Sequence, residues 1–295
     1  MGVINSKILR ELWNYKSRTL QVVLIIGIGA AAIGMIIGTR NLVIPGMVEM
    51  WHAFNPAMIT AYLTESVDDN TLEILKKVEG VAEVEGANSA VIEWRLSPED
   101  EWKQGGINFR ADYANQKMNI IELVSGNFPS GDYGAVEQGS DAYFGIPANG
   151  EVYLRINDRV RKLRLNGVVY NSFSQPAYFG GTAQFYVTKD VYEHFLGDDK
   201  YSTLYINASQ YDKDKVKELG DRLQARIKKM NNDSYRYISD PNKHFFQDQL
   251  DGIFTLLGVL GALSLVLGLL LVYNTVNAII SRQVDQIGIM KAIGA

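Results

Sequence analysis

The 295-residue sequence contains no cysteine, which excludes disulfides, thiolate nucleophiles and cysteine-based metal sites. Histidine is scarce: His52, His194 and His244 lie far apart, without the spacing of a metal-ligand pair. They are expected at the surface or the membrane edge. No G-x-x-x-x-G-K-[ST] segment occurs, so nucleotide binding through a P-loop is excluded. No Ser-His-Asp arrangement can be supported, and hydrolase chemistry is not expected. The acidic pairs Asp68-Asp69 and Asp198-Asp199 read as a helix cap and a solvated loop rather than calcium ligands, and no cofactor is expected. The chain carries a net charge of -4 and has no basic stripe, which argues against a nucleic-acid partner.

The most telling absence is local. A mean hydropathy of -0.06 hides two segments without any charged residue. Residues 19–39 form the first, 21 positions between Arg18 and Arg40. As a helix they span about 31 Å, close to the ~30 Å hydrocarbon core of a bilayer. Residues 252–281 form the second, 30 positions between Asp251 and Arg282, enough to span with tilt or to run past the lipid. An Ala30-x-Ala32 pattern resembles a signal-peptide cleavage site, but the apolar run continues beyond it and the preceding 18 residues are long for an n-region. Two membrane spans are the expected reading, with lipid as their surroundings.

Flanking charge orients them. Residues 1–18 carry a net +3 and residues 282–295 a net +1, leaving -8 between. Short basic flanks stay inside, so both ends are expected in the cytoplasm and residues 40–251 outside the cell membrane. Residues 1–18 read as an amphipathic helix on the inner surface, with Ile4, Ile8, Leu12 and Tyr15 at helical spacing. Both spans carry small residues: Gly34 and Gly38 in the first, Gly258 and Ala262 at the same spacing in the second. Such pairs let helices approach closely.

Pro45-Gly46 is expected to kink or end the first helix, with Met47, Met50, Trp51 and Phe54 grouped beside the outer membrane face. The outer domain then shows two β-α-β patterns. In the first, residues 57–64 and the segments 81–84 and 90–96 flank a helix capped at Asp68 or Asp69. In the second, a strand over 202–207 and another over 235–238 flank a helix over about 212–230 that aligns Val216, Leu219, Leu223, Ile227 and Met230. Two such units make a ferredoxin-like α/β lobe, over about 57–96 plus 200–239. Between them, about 97–185, short alternating strands and glycine turns predict an inserted β-rich lobe, with Asn157-Asp158 turning one hairpin. Its loop 172–181 carries Phe173, Tyr178 and Phe179, a tip suited equally to touching a partner and to anchoring in the core. Asp240-Pro241 predicts an N-cap and first helical residue, so the second span should begin as a stalk from about 241. The fold class expected is an α+β membrane protein, two transmembrane helices flanking this domain.

Residues 282–295 read Arg-Gln-Val-Asp-Gln-Ile-Gly-Ile-Met-Lys-Ala-Ile-Gly-Ala. This segment closely resembles the R-x-x-x-E-I-G-I-[LM]-[KR]-A-[IL]-G-A coupling helix of MacB/FtsX-type permeases of ABC transporters. Residues 10–20 resemble that family's lead-in to its first span. Residues 123–129, 150–154 and 165–169 are more loosely similar to its extracytoplasmic domain. The resemblance implies that Asp285, Gln286, Ile287, Gly288, Met290, Lys291 and Ala292 dock on a separate cytoplasmic ABC ATPase subunit. It also implies a second permease half or a homodimer. Gln286 stands where the family has glutamate, with Asp285 beside it. Family members continue into further spans, so a fragment of a longer permease is expected. Independently, Ile287, Met290 and Ile293 at i, i+3, i+6 offer an apolar stripe to a partner groove or to lipid. The competing function is a two-span sensor or scaffold with an outer ligand-binding domain.

Overall fold

The computed structural model describes Trp13 and residues 16–292; the amphipathic segment expected before them lies almost wholly outside the described residues. Two units are distinct in it, a helical unit ending at Met47 and resuming at Phe245, and an outer domain, Val48–His244.

The helical unit is built from α1 (Lys16–Ala53) and α6 (Gln247–Ala292), 38 and 46 residues long. At 1.5 Å per residue they reach about 57 and 69 Å, well beyond a ~30 Å hydrocarbon core. Both are long and apolar enough to cross a membrane, and their apolar side chains are almost entirely uncovered by protein. Pro45 stands inside α1 and does not end it. Trp51 and Phe54 are buried in the outer domain, and that packing holds the last two turns despite the lost backbone donor. Asp240-Pro241 does not start α6. Asp240 Oδ1 accepts the Asn242 N–H at 2.9 Å, and its carbonyl accepts from Lys243 N–H at 3.0 Å, which closes a turn there. The helix begins at Gln247.

In the outer domain, β1 (Ile59–Val67), α2 (Asp69–Lys76) and β2 (Val81–Arg95) form one β-α-β unit; β9 (Tyr201–Ala208), α5 (Lys213–Lys229) and β10 (Ser234–Ile238) form the other. The four strands lie in the order β10-β1-β9-β2, every neighbour antiparallel. This is the ferredoxin-like arrangement the sequence predicts. Both helices start on aspartate caps: Asp68 accepts from Thr71 N–H, Asp212 from the N–H groups of Asp214 and Lys215. Leu75 of α2 and Val216, Leu219, Leu223 and Ile227 of α5 are buried. The alternating Leu204 and Ile206 of β9 are buried as well.

β2 is one strand of 15 residues, where the sequence suggests two pieces. Its middle carries Gly86, and a Cβ there would sit 2.4 Å from the Tyr201 ring. Glycine therefore serves the close approach of a fully buried ring rather than a break. The far end of β2 enters the inserted lobe, made of β3 (Lys103–Arg110), β4 (Glu122–Gly126), β5 (Tyr133–Glu137), α3 (Gln138–Phe144), β6 (Gly150–Ile156), β7 (Arg159–Tyr170), β8 (Ala183–Val187) and α4 (Lys189–Leu196). Pairings run β2–β3–β8–β5–β7–β6 and back to β2, so six strands close into a barrel. Closure leaves no free edge among them. Trp94, Ile107, Phe185, Leu154 and Leu163 fill the interior. Asn157 and Asp158, both at positive φ, turn the β6–β7 hairpin.

Candidate functional site

Within the helical unit, partly covered positions recur on α6 at Asp251, Phe254, Gly258, Gly261, Leu265, Gly268, Val272 and Thr275. The steps alternate three and four residues, a 3.5-residue period that keeps one seam facing a partner helix. Val22, Ile25, Gly29, Ala32 and Ile36 show the same alternation on α1. The two seams meet. A Cβ built on Gly268 would lie 3.0 Å from Ile25, and one on Gly261 would lie 3.1 Å from Ile33. Beyond the apolar run, Arg40 Nη2 donates to Asp251 Oδ1 at 2.9 Å, linking the two helices where charge becomes affordable again.

The sequence-predicted packing residues fall differently. Gly34 and Gly38 are exposed, with nothing among the described residues within 4 Å of an added Cβ. Gly258 lies on the seam but likewise meets nothing, and Ala262 is exposed. Gly27, Ala31, Gly34 and Gly38 share the face of α1 opposite the seam, so a small-residue strip points away from α6. The residues that the resemblance assigns to ATPase docking, Asp285, Gln286, Ile287, Gly288, Met290, Lys291 and Ala292, form the last turns of α6. Gly288 and Ala292 are exposed there.

Within the outer domain, the chain between α1 and β1 is pinned by buried rings and side-chain amides. Trp51, 3% exposed, packs its ring 4.6 Å from Phe173 and 4.7 Å from His244. Phe54 packs against Tyr170. Asn55, at positive φ, anchors on the Lys117 carbonyl. Asn119 accepts the Ala57 N–H at 2.8 Å and Asn207 accepts the Met58 N–H at 2.7 Å. Trp51 in the last turn of the first helix, His244 three residues before the second, and Phe173 at the base of the loop 171–182 therefore share one aromatic cluster. Burial holds the His244 pKa below its usual value. Sequence reasoning sets Trp51 and Phe54 at the membrane face and leaves Phe173 in a separate loop. Only the aromatic content of both segments signals that they meet.

The loop above Phe173 is rigidly built. Gln175 donates to the Phe179 carbonyl at 2.7 Å, Asn171 donates to the Tyr186 hydroxyl at 2.9 Å, and Gly181 packs on the Gln175 backbone where a Cβ would clash. Ala177 is its buried anchor, while Tyr178 and Phe179 are exposed, with Tyr143 against Tyr178. The acidic pairs are engaged by backbone N–H groups and side chains of the domain. Asp68 caps α2, and Asp69 and Asp199 converge on Lys189 Nζ at 3.0 and 3.5 Å. The Lys189 and Tyr201 hydrogen bonds hold the Asp69 carboxyl below its usual range. His52 and His194 are exposed; His244 is half-buried.

Three solved structures resemble this fold at low identity. The extracellular domain of the noncanonic ABC-type transporter YknZ from Gram-positive bacteria is 14% identical, over 62% of this chain and 100% of that one, with a TM-score of 0.44. The periplasmic region of MacB from Actinobacillus actinomycetemcomitans is 11% identical, over 67% of this chain and 92% of that one, with a TM-score of 0.41. A permease-protein domain from Porphyromonas gingivalis is 11% identical, over 64% of this chain and 90% of that one, with a TM-score of 0.39. No protein-family model matches the chain, and no curated protein matches it.

Proposed function

We propose that the chain is a permease subunit of an ABC-type transporter, in which a separate cytoplasmic ATPase moves the outer domain through two membrane helices. Both chain ends face the cytoplasm and residues 40–251 lie outside the cell membrane. The observation that carries this reading is α6, one uninterrupted helix from Gln247 to Ala292, whose final turns hold the segment that resembles a coupling helix. A continuous helix transmits displacement and rotation along its length, because every turn is locked by i→i-4 hydrogen bonds. The ion pair Arg40–Asp251 and the glycine seam tie α1 to that movement. Ile287, Gly288, Met290 and Ala292 meet the ATPase, with Asp285, Gln286 and Lys291 supplying polar contacts at the rim. The small-residue strip at Gly34 and Gly38 receives a helix of a second permease half or of a second copy, and the exposed Ala262 adds to that contact.

The test is copurification. Deleting residues 287–295 abolishes recovery of an ATPase with the tagged, detergent-solubilised chain while leaving its thermal melt unchanged. Undiminished recovery refutes the docking role of that segment.

A further inference from the structure

One face of the ferredoxin-like sheet is covered by α2 and α5; the opposite face is covered only in part. Over its β9–β2 half lies the loop 111–121. Glu85 accepts the N–H groups of Lys117 and Met118 at 2.6 and 3.1 Å. Arg110 donates to the Met118 carbonyl at 2.7 Å and sits 4.8 Å above the Tyr205 ring. Met118 is fully buried under this roof. The roof stops there. Beyond it the face consists of Tyr62 on β1 and Tyr235 and Tyr237 on β10, 50%, 71% and 52% exposed. Tyr62 and Tyr235 are cross-strand partners with near-parallel rings 6.4 Å apart, and Tyr237 lies opposite Thr60.

The tyrosines border a free edge. Among the described residues β10 pairs with β1 alone, so every second residue of Ser234–Ile238 turns its N–H and C=O outward. Natural edge strands are usually blocked by an outward lysine, a proline or a bulge, and β10 has none of these. Its one charged residue, Arg236, points to the other face, where it pairs with Asp221. The tyrosine strip therefore presents no charge. Its exposed area is roughly 350 Å², under half the ~800 Å² per partner of a stable protein interface. A strip of that size suits one added strand rather than a second folded domain.

We propose that the β10 edge and its tyrosine strip bind an extended peptide segment of a partner protein by strand addition. The backbone of β10 supplies the hydrogen bonds, and alternate uncharged side chains of the peptide lie over Tyr235 and Tyr237. Tyrosine suits this role because a large amphipathic ring is ordered at small entropic cost.

The test selects a phage-displayed library of random 12-residue peptides on the full chain in detergent micelles, then measures the synthetic winners. Expected are sequences alternating uncharged apolar or aromatic residues, which slow amide hydrogen exchange across Ser234–Ile238. Tyr235→Lys or Tyr237→Lys should weaken them at least tenfold. Both sites are exposed, so the variants fold, and Val160→Lys on the β6–β7 hairpin should have no effect. Three outcomes overturn the proposal: no peptide is enriched, peptides bind without protecting β10, or β10 is already protected in a concentration-dependent dimer. The last would assign the edge to a second copy of the chain.

Discussion

Replacing Trp51 by alanine probes the aromatic cluster that pins the last turn of α1 in the outer domain. The indole is almost wholly buried between Phe173 and His244, so truncation removes about 150–250 Å² of ring surface from the packed cluster. At ~25 cal/mol per Å² that is roughly 4–6 kcal/mol, in line with the ~3–5 kcal/mol of buried tryptophan truncations. The neighbouring Met50, 59% exposed, should cost under about 0.5 kcal/mol when changed to alanine. Hydrogen exchange on the detergent-solubilised chain reads the effect. Trp51→Ala should speed exchange at 171–182 and 239–244, leaving the barrel strands β6 and β7 protected. Under the proposed function, ATPase copurification should survive, because the last turns of α6 are untouched, while transport fails. Equal costs for the Trp51 and Met50 variants, or loosening centred on the barrel, would refute the anchoring role of this cluster.

Two further outcomes concern stability. Burial raises the carboxyl pKa values of Glu85 and Glu137 above the usual range, against the hydrogen bonds each accepts. In the window between the ordinary glutamate value and the raised one, the folded state holds more protons than the unfolded one. Stability contributed by these groups is therefore complete below that window and falls as pH rises through it. Glu137→Gln should flatten that fall in a pH series of urea melts; an unchanged slope contradicts the assignment. Gly86→Ala places a Cβ against the buried Tyr201 ring, and such overpacking costs about 1–3 kcal/mol. Melting of the outer domain should drop by about 2–4 °C per kcal/mol, whereas Gly145→Ala meets no neighbouring atom and reports only the strain of positive φ.

Particular residues show what the sequence could disclose. Val152, Leu154 and Ile156 alternate before Asn157-Asp158, and that local pattern suffices to define the hairpin. Val216 to Ile227 likewise mark the buried face of α5 by their spacing alone. Barrel closure is not local. It depends on β2 pairing β6 through Glu93–Arg155, and on parallel pairings of β3 with β8 and of β5 with β7, contacts that no short window encodes. The seven-residue helix α3 carries too few turns for a periodic signal. Strand β3 carries Gly105 and Gly106 in its first half, which a propensity argument assigns to a turn. Both are there because Trp94 and Gln184 occupy the space of their Cβ atoms. On the helices, the GxxxG spacing draws attention to Gly34 and Gly38, yet the seam to α6 runs through Gly29, Gly261 and Gly268. Small residues permit close packing on any face; which face is used depends on the partner.

Because the native chain has no cysteine, single-cysteine variants give an unambiguous test of membrane topology. Val160→Cys in the outer domain and Ala292→Cys at the end of α6 are both exposed positions. A membrane-impermeant maleimide added to intact spheroplasts should label the first and leave the second unlabelled until the membrane is permeabilised. Labelling of Ala292→Cys in intact cells, or protection of Val160→Cys until lysis, would contradict a domain held outside by helices that an internal motor drives.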